Sequence, residues 1–388
     1  MKYRRTTLII VVILAAAWML EAVRPTAAMP PFAQAYGMDC EVCHTVTPAL
    51  NAYGRYVQRT GYSSLDAATI HRANPIWIGV NPFYDTRDAA QPHIVQWGNV
   101  ALHGAGYIGK DFTFHFHQWI YQFDQPGGTD TVWLTYNNFL HRDGHLFVGK
   151  IEAPAPSPIS QWTDLQGFLA PSYVVGEHAY PFGNNSWGTK FAYTHSWLTA
   201  EVAYMGPAGN INTATDFGLL NGTDKRFQWR VVDSLGYKPV EVGLFGGNGV
   251  FQVSDGLVDR YHGEAAYAEL DPQNGLPGAL VIYQRGFDSH PVGGVDGSAR
   301  SHALSTELFE PFAHHHAMLA VRNEIADDGM GGFTHQGNVD LAVLASHHVS
   351  EGVANGWIVN LEGVLTQNST PGWRGQLWYV TTIGSLRK

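Results

Sequence analysis

Residues 40–44 read Cys-Glu-Val-Cys-His and contain both cysteines of the chain. Two thiols three positions apart, followed directly by a histidine, are typical of a c-type haem attachment site. Cys40 and Cys43 would add across the haem vinyl groups, and His44 would supply the proximal ligand to the iron. The alternatives are a redox dithiol or half of a zinc site, which would need further Cys or His ligands. The motif favours one covalent haem c.

The ligand on the opposite face of the iron is not fixed by this motif. His71 is the first histidine after the motif region and the leading candidate, whereas His115, His117, Met318 or an open position are the alternatives. The choice matters because a methionine ligand raises the reduction potential relative to a second histidine. An open position would permit ligand binding or peroxidase chemistry.

The first 28 residues have the pattern of a secretory signal peptide. Lys2, Arg4 and Arg5 precede an uncharged run over residues 8–20, and small residues follow at positions 26–28. The run is shorter than the roughly 20 apolar residues of a membrane-spanning helix. We expect a signal peptide over residues 1–28 and export of the mature chain to the compartment in which haem c is attached.

Residues 29–74 are predicted to form a small, mainly helical monohaem domain. Thr47 and Pro48 suit the N-cap and first turn of a helix, and Gly61 suits its end. The stretch is far shorter than a free-standing cytochrome domain. Part of the haem's surroundings must therefore come from elsewhere in the chain.

From about residue 75 the apolar residues recur at every second position, as in a half-buried strand. Phe112, Phe114 and Phe116, for example, alternate with polar residues. Turn-forming sequences separate sixteen such segments, and many are long enough for a tilted strand to cross a membrane. The predicted strands cover residues 76–84, 93–106, 112–123, 131–141, 144–151, 187–195, 197–206, 226–235, 238–247, 260–270, 278–287, 300–310, 314–325, 334–348, 354–366 and 373–384.

Composition helps to distinguish a soluble all-β domain from an outer-membrane barrel. Only 14% of the residues are charged, against about a quarter in ordinary soluble domains. The few charges alternate with apolar and aromatic residues, as expected for a polar lumen and a lipid-facing outer surface. We therefore predict an all-β fold, an outer-membrane antiparallel β-barrel over residues 75–388, with the haem domain at its N-terminus.

The charges also bear on possible partners. A net charge of −10 argues against nucleic acid and suits cations. Five carboxylates are predicted to face the lumen, where they would attract cations or keep the lumen hydrated: Glu201, Glu241, Glu324, Asp340 and Glu362. The histidine runs at residues 314–316 and 347–348 need no metal, because consecutive residues of a strand point to opposite faces.

Residues 31–33 (Pro-Phe-Ala), 37–44, 48–54 and 61–62 together resemble the N-terminal signature of the fused outer-membrane cytochrome-porins of iron-oxidising bacteria. The resemblance covers about residues 30–62, and the barrel matches by architecture alone. It implies a monohaem domain at the mouth of, or inside, a porin-like barrel, with Cys40 and Cys43 as thioether residues and His44 as proximal ligand. It also implies electron transfer from extracellular Fe²⁺ to periplasmic cytochromes, which is an iron:cytochrome c oxidoreductase activity.

Three functions are therefore compatible with the sequence. The first is an outer-membrane electron-transfer protein that oxidises an extracellular donor, with Fe²⁺ preferred. The second is a porin or transport channel in which the haem domain acts as a plug. The third is a haem peroxidase, which would need an open iron position and a distal acid–base group.

Overall fold

The computed structural model describes most of the chain that follows the predicted signal peptide. The described ranges are 30–38, 40–46, 49–72, 75–85, 96–122, 125–157, 170–180, 182–206, 225–233, 239–254, 257–273, 275–292, 297–312, 317–350, 353–366 and 372–383. The predicted signal peptide lies outside these residues, as do the histidines at positions 314–316. None of the helices in the described ranges is long and apolar enough to cross a membrane.

Residues 30–72, here called the N-terminal segment, contain short helices and one small hairpin. In chain order these are helix α1 (Pro30–Tyr36), a 3₁₀ turn (Cys40–Val42), strands β1 (His44–Val46) and β2 (Ala49–Leu50), and helices α2 (Ala52–Arg59) and α3 (Ala67–Ile70). Strands β1 and β2 pair antiparallel, with His44 opposite Leu50. Residues 40–44, the predicted haem-attachment site and here called the haem motif, therefore span the 3₁₀ turn and the start of β1.

Helix α2 begins later than the sequence predicted. The prediction of Thr47 as N-cap and Pro48 as first helical residue is wrong for this helix, because residues 49–50 form strand β2 and Asn51 is the N-cap. Residues 47 and 48 themselves lie outside the described ranges. Asn51 accepts a hydrogen bond from Gly54 N at 3.0 Å, which satisfies a first-turn N–H that has no intrahelical partner. The helix ends at the predicted place, with Gly61 at a φ of 54°.

Nineteen further strands follow in the described residues, and sixteen of them are 8 to 18 residues long. The shorter three are β6, β9 and β10. The bounds are Ile76–Asp85 (β3), Gln96–Ile108 (β4), Phe112–Gln122 (β5), Gln125–Pro126 (β6), Thr129–Phe139 (β7), Gly144–Ile151 (β8), Tyr173–Val175 (β9), His178–Tyr180 (β10), Ser186–His195 (β11), Leu198–Met205 (β12), Lys225–Asp233 (β13), Val240–Ser254 (β14), Leu257–Leu270 (β15), Gly278–Asp288 (β16), Ala299–Phe312 (β17), Ala317–Asp327 (β18), Phe333–Ser350 (β19), Val353–Thr366 (β20) and Gly372–Ile383 (β21).

The sixteen long strands pair antiparallel into one large sheet. Each pairs with its neighbours in sequence, β8 pairs with β11, and β21 pairs with β3, so the pairings return to the first strand and form a closed ring. All sixteen predicted strands are confirmed within a few residues at most ends. The period-two pattern succeeds because each strand has one face toward the lumen and one face outward.

The two ends of this ring differ in their connections. At the end where β3 begins and β21 ends, no connection is longer than that over residues 271–277. We call it the short-turn end. The opposite end, the long-loop end, carries the connections over residues 152–185 and 206–224.

Much of the outer face of the ring is apolar. Along β14, Val242 and Leu244 are exposed, and along β16 Val281 and Tyr283 are exposed, while the alternating Ile282 is fully buried. Aromatic side chains such as Trp197, Tyr204 and Trp357 are also exposed on this surface. An apolar outer face of this extent matches a barrel that faces lipid.

Two parts of the chain fill the inside of the ring. The N-terminal segment packs Phe32, Val57 and Tyr62 against barrel residues that include Trp133 and Phe147. The long connection over 152–185 contributes the hairpin β9–β10, which pairs antiparallel and packs against Tyr261 and Ala299 of the barrel. The five carboxylates predicted to face the lumen are all at most 1% exposed, which confirms that they point inward.

Candidate haem site

The N-terminal segment lies within the ring because it contacts strands on opposite sides. Tyr62 O–H lies 2.9 Å from His115 Nδ1 on β5, whereas Arg59 binds Glu241 on β14. A third contact joins Val46 and Ala49 to Phe309 and Met318 on β17 and β18. The haem motif is therefore held in the lumen rather than beside the barrel.

The motif backbone is fixed by Asn51. The Asn51 side chain donates from Nδ2 to the carbonyl oxygens of Glu41 (3.0 Å) and Val42 (3.3 Å). The Asn51 backbone N–H donates to Cys43 O at 3.0 Å. One residue thus caps helix α2 and binds three consecutive carbonyls of the motif.

Gly54 allows helix α2 to lie directly on the motif. A Cβ atom added at Gly54 would meet the carbonyl oxygen of Cys43 at 2.0 Å. This contact is with backbone, which cannot move aside as a flexible side chain can, so position 54 needs glycine. Gly54 is one of the residues that resemble the cytochrome-porins, but the sequence alone did not show why this position needs glycine.

The residues of the motif suit a covalent haem. Cys43 carries a free thiol, is half-buried and has a pKa raised by burial. Val42 is 43% exposed, so one side of the motif is not covered by protein. The buried apolar cluster of Val46, Ala49, Phe309, Met318 and Ala320 lies next to the motif in the fold and offers an apolar wall. Among the described side chains, which do not include that of Cys40, no group of three metal ligands includes Cys43.

The candidates for the second axial ligand occupy different surroundings. His71 is exposed, and its ring lies 6.3 Å from that of Tyr107. His117 pairs with Asp130 at 3.1 Å, and His115 is bound by Tyr62. Met318 is 1% exposed and packs with Val46, two positions after His44. Met318 thus shares a buried cluster with a residue of β1, the strand that begins with His44, although the sequence favoured His71.

An ionic cluster anchors helix α2 to the barrel wall. Arg55 Nη1 donates to Glu269 Oε1 at 2.6 Å and to Asp271 Oδ1 at 3.1 Å. Arg59 donates to both oxygens of Glu241, at 2.6 and 2.9 Å. Burial alone would lower the pKa of the Arg59 guanidinium, but the charge of Glu241, its hydrogen bond to Arg59, and the charges of Tyr267 and Glu201 together raise that pKa. These two arginines, four residues apart in a chain with few charges, were not singled out in the sequence.

Three of the inward carboxylates form ion pairs within the chain. Glu241 binds Arg59, and Glu201 binds Lys190 at 3.2 Å and also Arg230. Glu324 Oε2 lies 3.3 Å from Arg322 Nε. The expectation that inward carboxylates attract cations along the lumen therefore does not extend to these three.

Comparisons with known proteins agree with the barrel. The sequence matches no protein-family model and no curated protein. Among solved structures, the chain is similar to OmpTdeltaL8, a loop-deletion mutant of an outer membrane protein of Vibrio cholerae, with 10% identity and a TM-score of 0.50 over 80% of this chain and 98% of that one.

Two further solved structures resemble the chain over the same share of its length. These are an anion-selective porin from Comamonas acidovorans (12% identity, TM-score 0.47, 98% of that chain) and Salmonella typhi OmpF in complex with daunomycin (12% identity, TM-score 0.49, 96% of that chain). At 10% identity the likeness to the Vibrio cholerae protein shows the fold alone, which is that of an outer-membrane β-barrel.

Proposed function

We propose that this chain is an outer-membrane electron-transfer protein with one covalent haem c. Cys40 and Cys43 hold the haem by thioether bonds, and His44 is its proximal ligand. Electrons pass from an extracellular donor, with Fe²⁺ preferred, to periplasmic cytochromes. The observation that carries the proposal is the Cys-x-x-Cys-His motif held inside the lumen of a porin-like barrel.

The position of the motif fits this function. In outer-membrane barrels the short turns face the periplasm and the longer loops face the outside. The N-terminal segment binds Asp271, in a turn of the short-turn end, so the haem would lie toward the periplasmic carriers. An extracellular donor would approach from the long-loop end.

The protein's own residues have defined tasks in this function. The haem supplies a one-electron redox change when it is bound. The hydrogen bonds of Asn51 and the close approach at Gly54 hold the motif backbone in one geometry. The buried Arg59–Glu241 pair helps to keep the N-terminal segment inside the lumen. Oxidation outside the cell would keep poorly soluble ferric products away from the cell interior.

The second candidate is a porin or transport channel plugged by the N-terminal segment. The likeness to porins favours it, because that likeness concerns the barrel and not the haem. A plugged porin would conduct ions once the segment moves. An electron-transfer protein has no need to conduct.

One experiment distinguishes the two. Fe²⁺ is added to outer-membrane vesicles that contain the haem-loaded protein, and the reduced haem bands are followed in the visible spectrum. Rapid reduction that is lost in Cys43→Ala supports electron transfer. A haem that dithionite reduces but Fe²⁺ does not reduce at any pH tested overturns iron as the donor, and ion conductance of the same protein in a planar bilayer would then support the channel.

A further inference from the structure

A cluster of metal-binding side chains lies at the long-loop end, away from the haem motif. It joins His178 of hairpin strand β10 to Asp259 of β15 and Asp288 of β16, with one ligand atom of each lying within 4.8 Å of the others. His178 Nδ1 is 2.7 Å from Asp288 Oδ2 and 3.5 Å from Asp259 Oδ2. The residues come from three separate elements, so the fold and not local sequence brings them together.

The two carboxylates of this cluster are fully buried. Asp259 and Asp288 are 0% exposed, and the side chain of His178 is 15% exposed. In the described part of the chain, their ion pairs are with His178 and, for Asp259, also with His290; no Lys or Arg pairs with either carboxylate. Two buried carboxylates side by side repel each other if both are ionised. They therefore either share a proton or have a cation between them.

In each of the two carboxylates, the Oδ1 and Oδ2 atoms have different hydrogen-bond partners. The Oδ1 atoms accept hydrogen bonds from Ser289 Oγ (to Asp259, 2.7 Å) and from His290 N (3.1 Å to Asp259 and 2.7 Å to Asp288). The Oδ2 atoms instead both face His178 and the Tyr180 hydroxyl, which donates to each of them. Outer hydrogen bonds that hold one oxygen and aim the other at a common point are the usual support of metal ligands.

We propose that His178, Asp259 and Asp288 bind one divalent transition-metal ion. One imidazole nitrogen and two carboxylate oxygens suit ions such as Fe²⁺, Mn²⁺ or Zn²⁺. Ca²⁺ and Mg²⁺ prefer oxygen ligands throughout.

The ion also joins two parts of the structure. Strand β10 belongs to the connection that fills the lumen, and Tyr180 stacks on Tyr261 of the barrel wall with ring centroids 4.1 Å apart. A metal bound here fixes this hairpin to strands β15 and β16. The site does not depend on the haem, and under the proposed function it is a docking position for Fe²⁺ on the donor's side of the barrel.

The test uses the full-length, haem-loaded protein in detergent, purified without a histidine tag. Mn²⁺ is added under anaerobic conditions, and the loss of the free-ion EPR signal counts the bound ions. We expect one Mn²⁺ that Fe²⁺ displaces, with binding at least about tenfold weaker in Asp288→Asn and in His178→Gln. The control is His195→Gln, which removes an exposed histidine that lies 2.6 Å from Asp143 and leaves the binding unchanged.

Two outcomes would overturn the proposal: the unmodified protein binds no Mn²⁺, or both site variants bind it as well as the control does. If Asp288→Asn fails to fold, His178→Gln decides alone, because His178 lies on the hairpin and outside the barrel sheet. Since Mn²⁺ binding is counted without any haem reaction, its failure is separate from a failure of Fe²⁺ to reduce the haem.

Discussion

Arg59 and Glu241 form a two-point ion pair that joins helix α2 to strand β14 of the barrel. The side chains are 4% and 1% exposed, and the Tyr267 hydroxyl donates to the same carboxylate at 2.8 Å. Buried pairs of this kind add little net stability over an apolar contact. Removing one partner, however, leaves the other charge buried and unpaired. Without Glu241, Arg59 would therefore be an uncompensated charge inside the lumen.

Glu241→Gln should release the N-terminal segment. The substitution leaves Arg59 without its carboxylate, at a cost of about 3–5 kcal/mol. We expect faster proteolysis of residues 30–72 and new conductance steps in planar bilayers. The matched control, Asp143→Asn, removes a carboxylate of a partly exposed pair with His195 beside a turn of the short-turn end and should change stability by less than about 1 kcal/mol. Equal behaviour of the two variants would contradict this role for the pair.

Asn51 should affect the haem motif through its amide group and not only through its helix cap. Asn51→Ala removes both functions, and loss of the cap alone costs about 1 kcal/mol. Asn51→Asp keeps the cap acceptor but loses the donors to Glu41 and Val42. Unfolding is followed by the haem absorbance as denaturant is added. We expect the denaturant concentration at the midpoint to fall in both variants, and further in Asn51→Ala. An unchanged midpoint in Asn51→Asp would show that the amide contacts are dispensable.

Met318 is expected to matter more to the haem than His71. Met318→Leu keeps the volume of the side chain but removes the sulfur beside Val46, whereas His71→Ala changes an exposed residue. If Met318 ligates the iron, its loss lowers the reduction potential or opens the iron to carbon monoxide. A redox titration and a carbon monoxide difference spectrum measure both effects. The opposite result, with an effect of His71→Ala alone, would restore His71 as the ligand.

The outer face can be tested as a lipid-facing surface. Val281 lies in the interior of β16 and is 41% exposed. Val281→Arg should destabilise the protein in liposomes by roughly 2–4 kcal/mol if this residue lies near the bilayer centre. Leu276→Arg places the same charge in the turn between β15 and β16 and should cost about 0–1 kcal/mol. Urea unfolding in liposomes compares the two, and equal values would argue against a membrane position for β16.

The barrel could be predicted from the sequence because its physics is local. Side chains along each strand point alternately to the lumen and to the outer surface, so neighbours such as Val281 and Ile282 face opposite sides. The position of a residue within its own strand therefore predicts its orientation. The inward direction of Glu241 followed from the same alternation.

The lumen contents could not be predicted because they depend on contacts between distant residues. The sequence predicted Thr47 as the N-cap of helix α2, whereas residues 49–50 pair with β1 and the helix begins after Asn51. The partners of Arg59, and the meeting of His178 with Asp288, require the ring to be closed in space. No periodic signal marks them in the sequence.

The pairing of β3 with β21 also restricts the order in which this protein can be assembled. The N-terminal segment is joined directly to β3, yet it ends up enclosed by strands that are synthesised after it. It must therefore already be in place when β21 joins β3, or thread through a finished pore. A group carried by covalent bonds on this segment travels with it during closure and needs no later entry route. On the first of these routes, attachment of such a group to the motif would precede completion of the barrel.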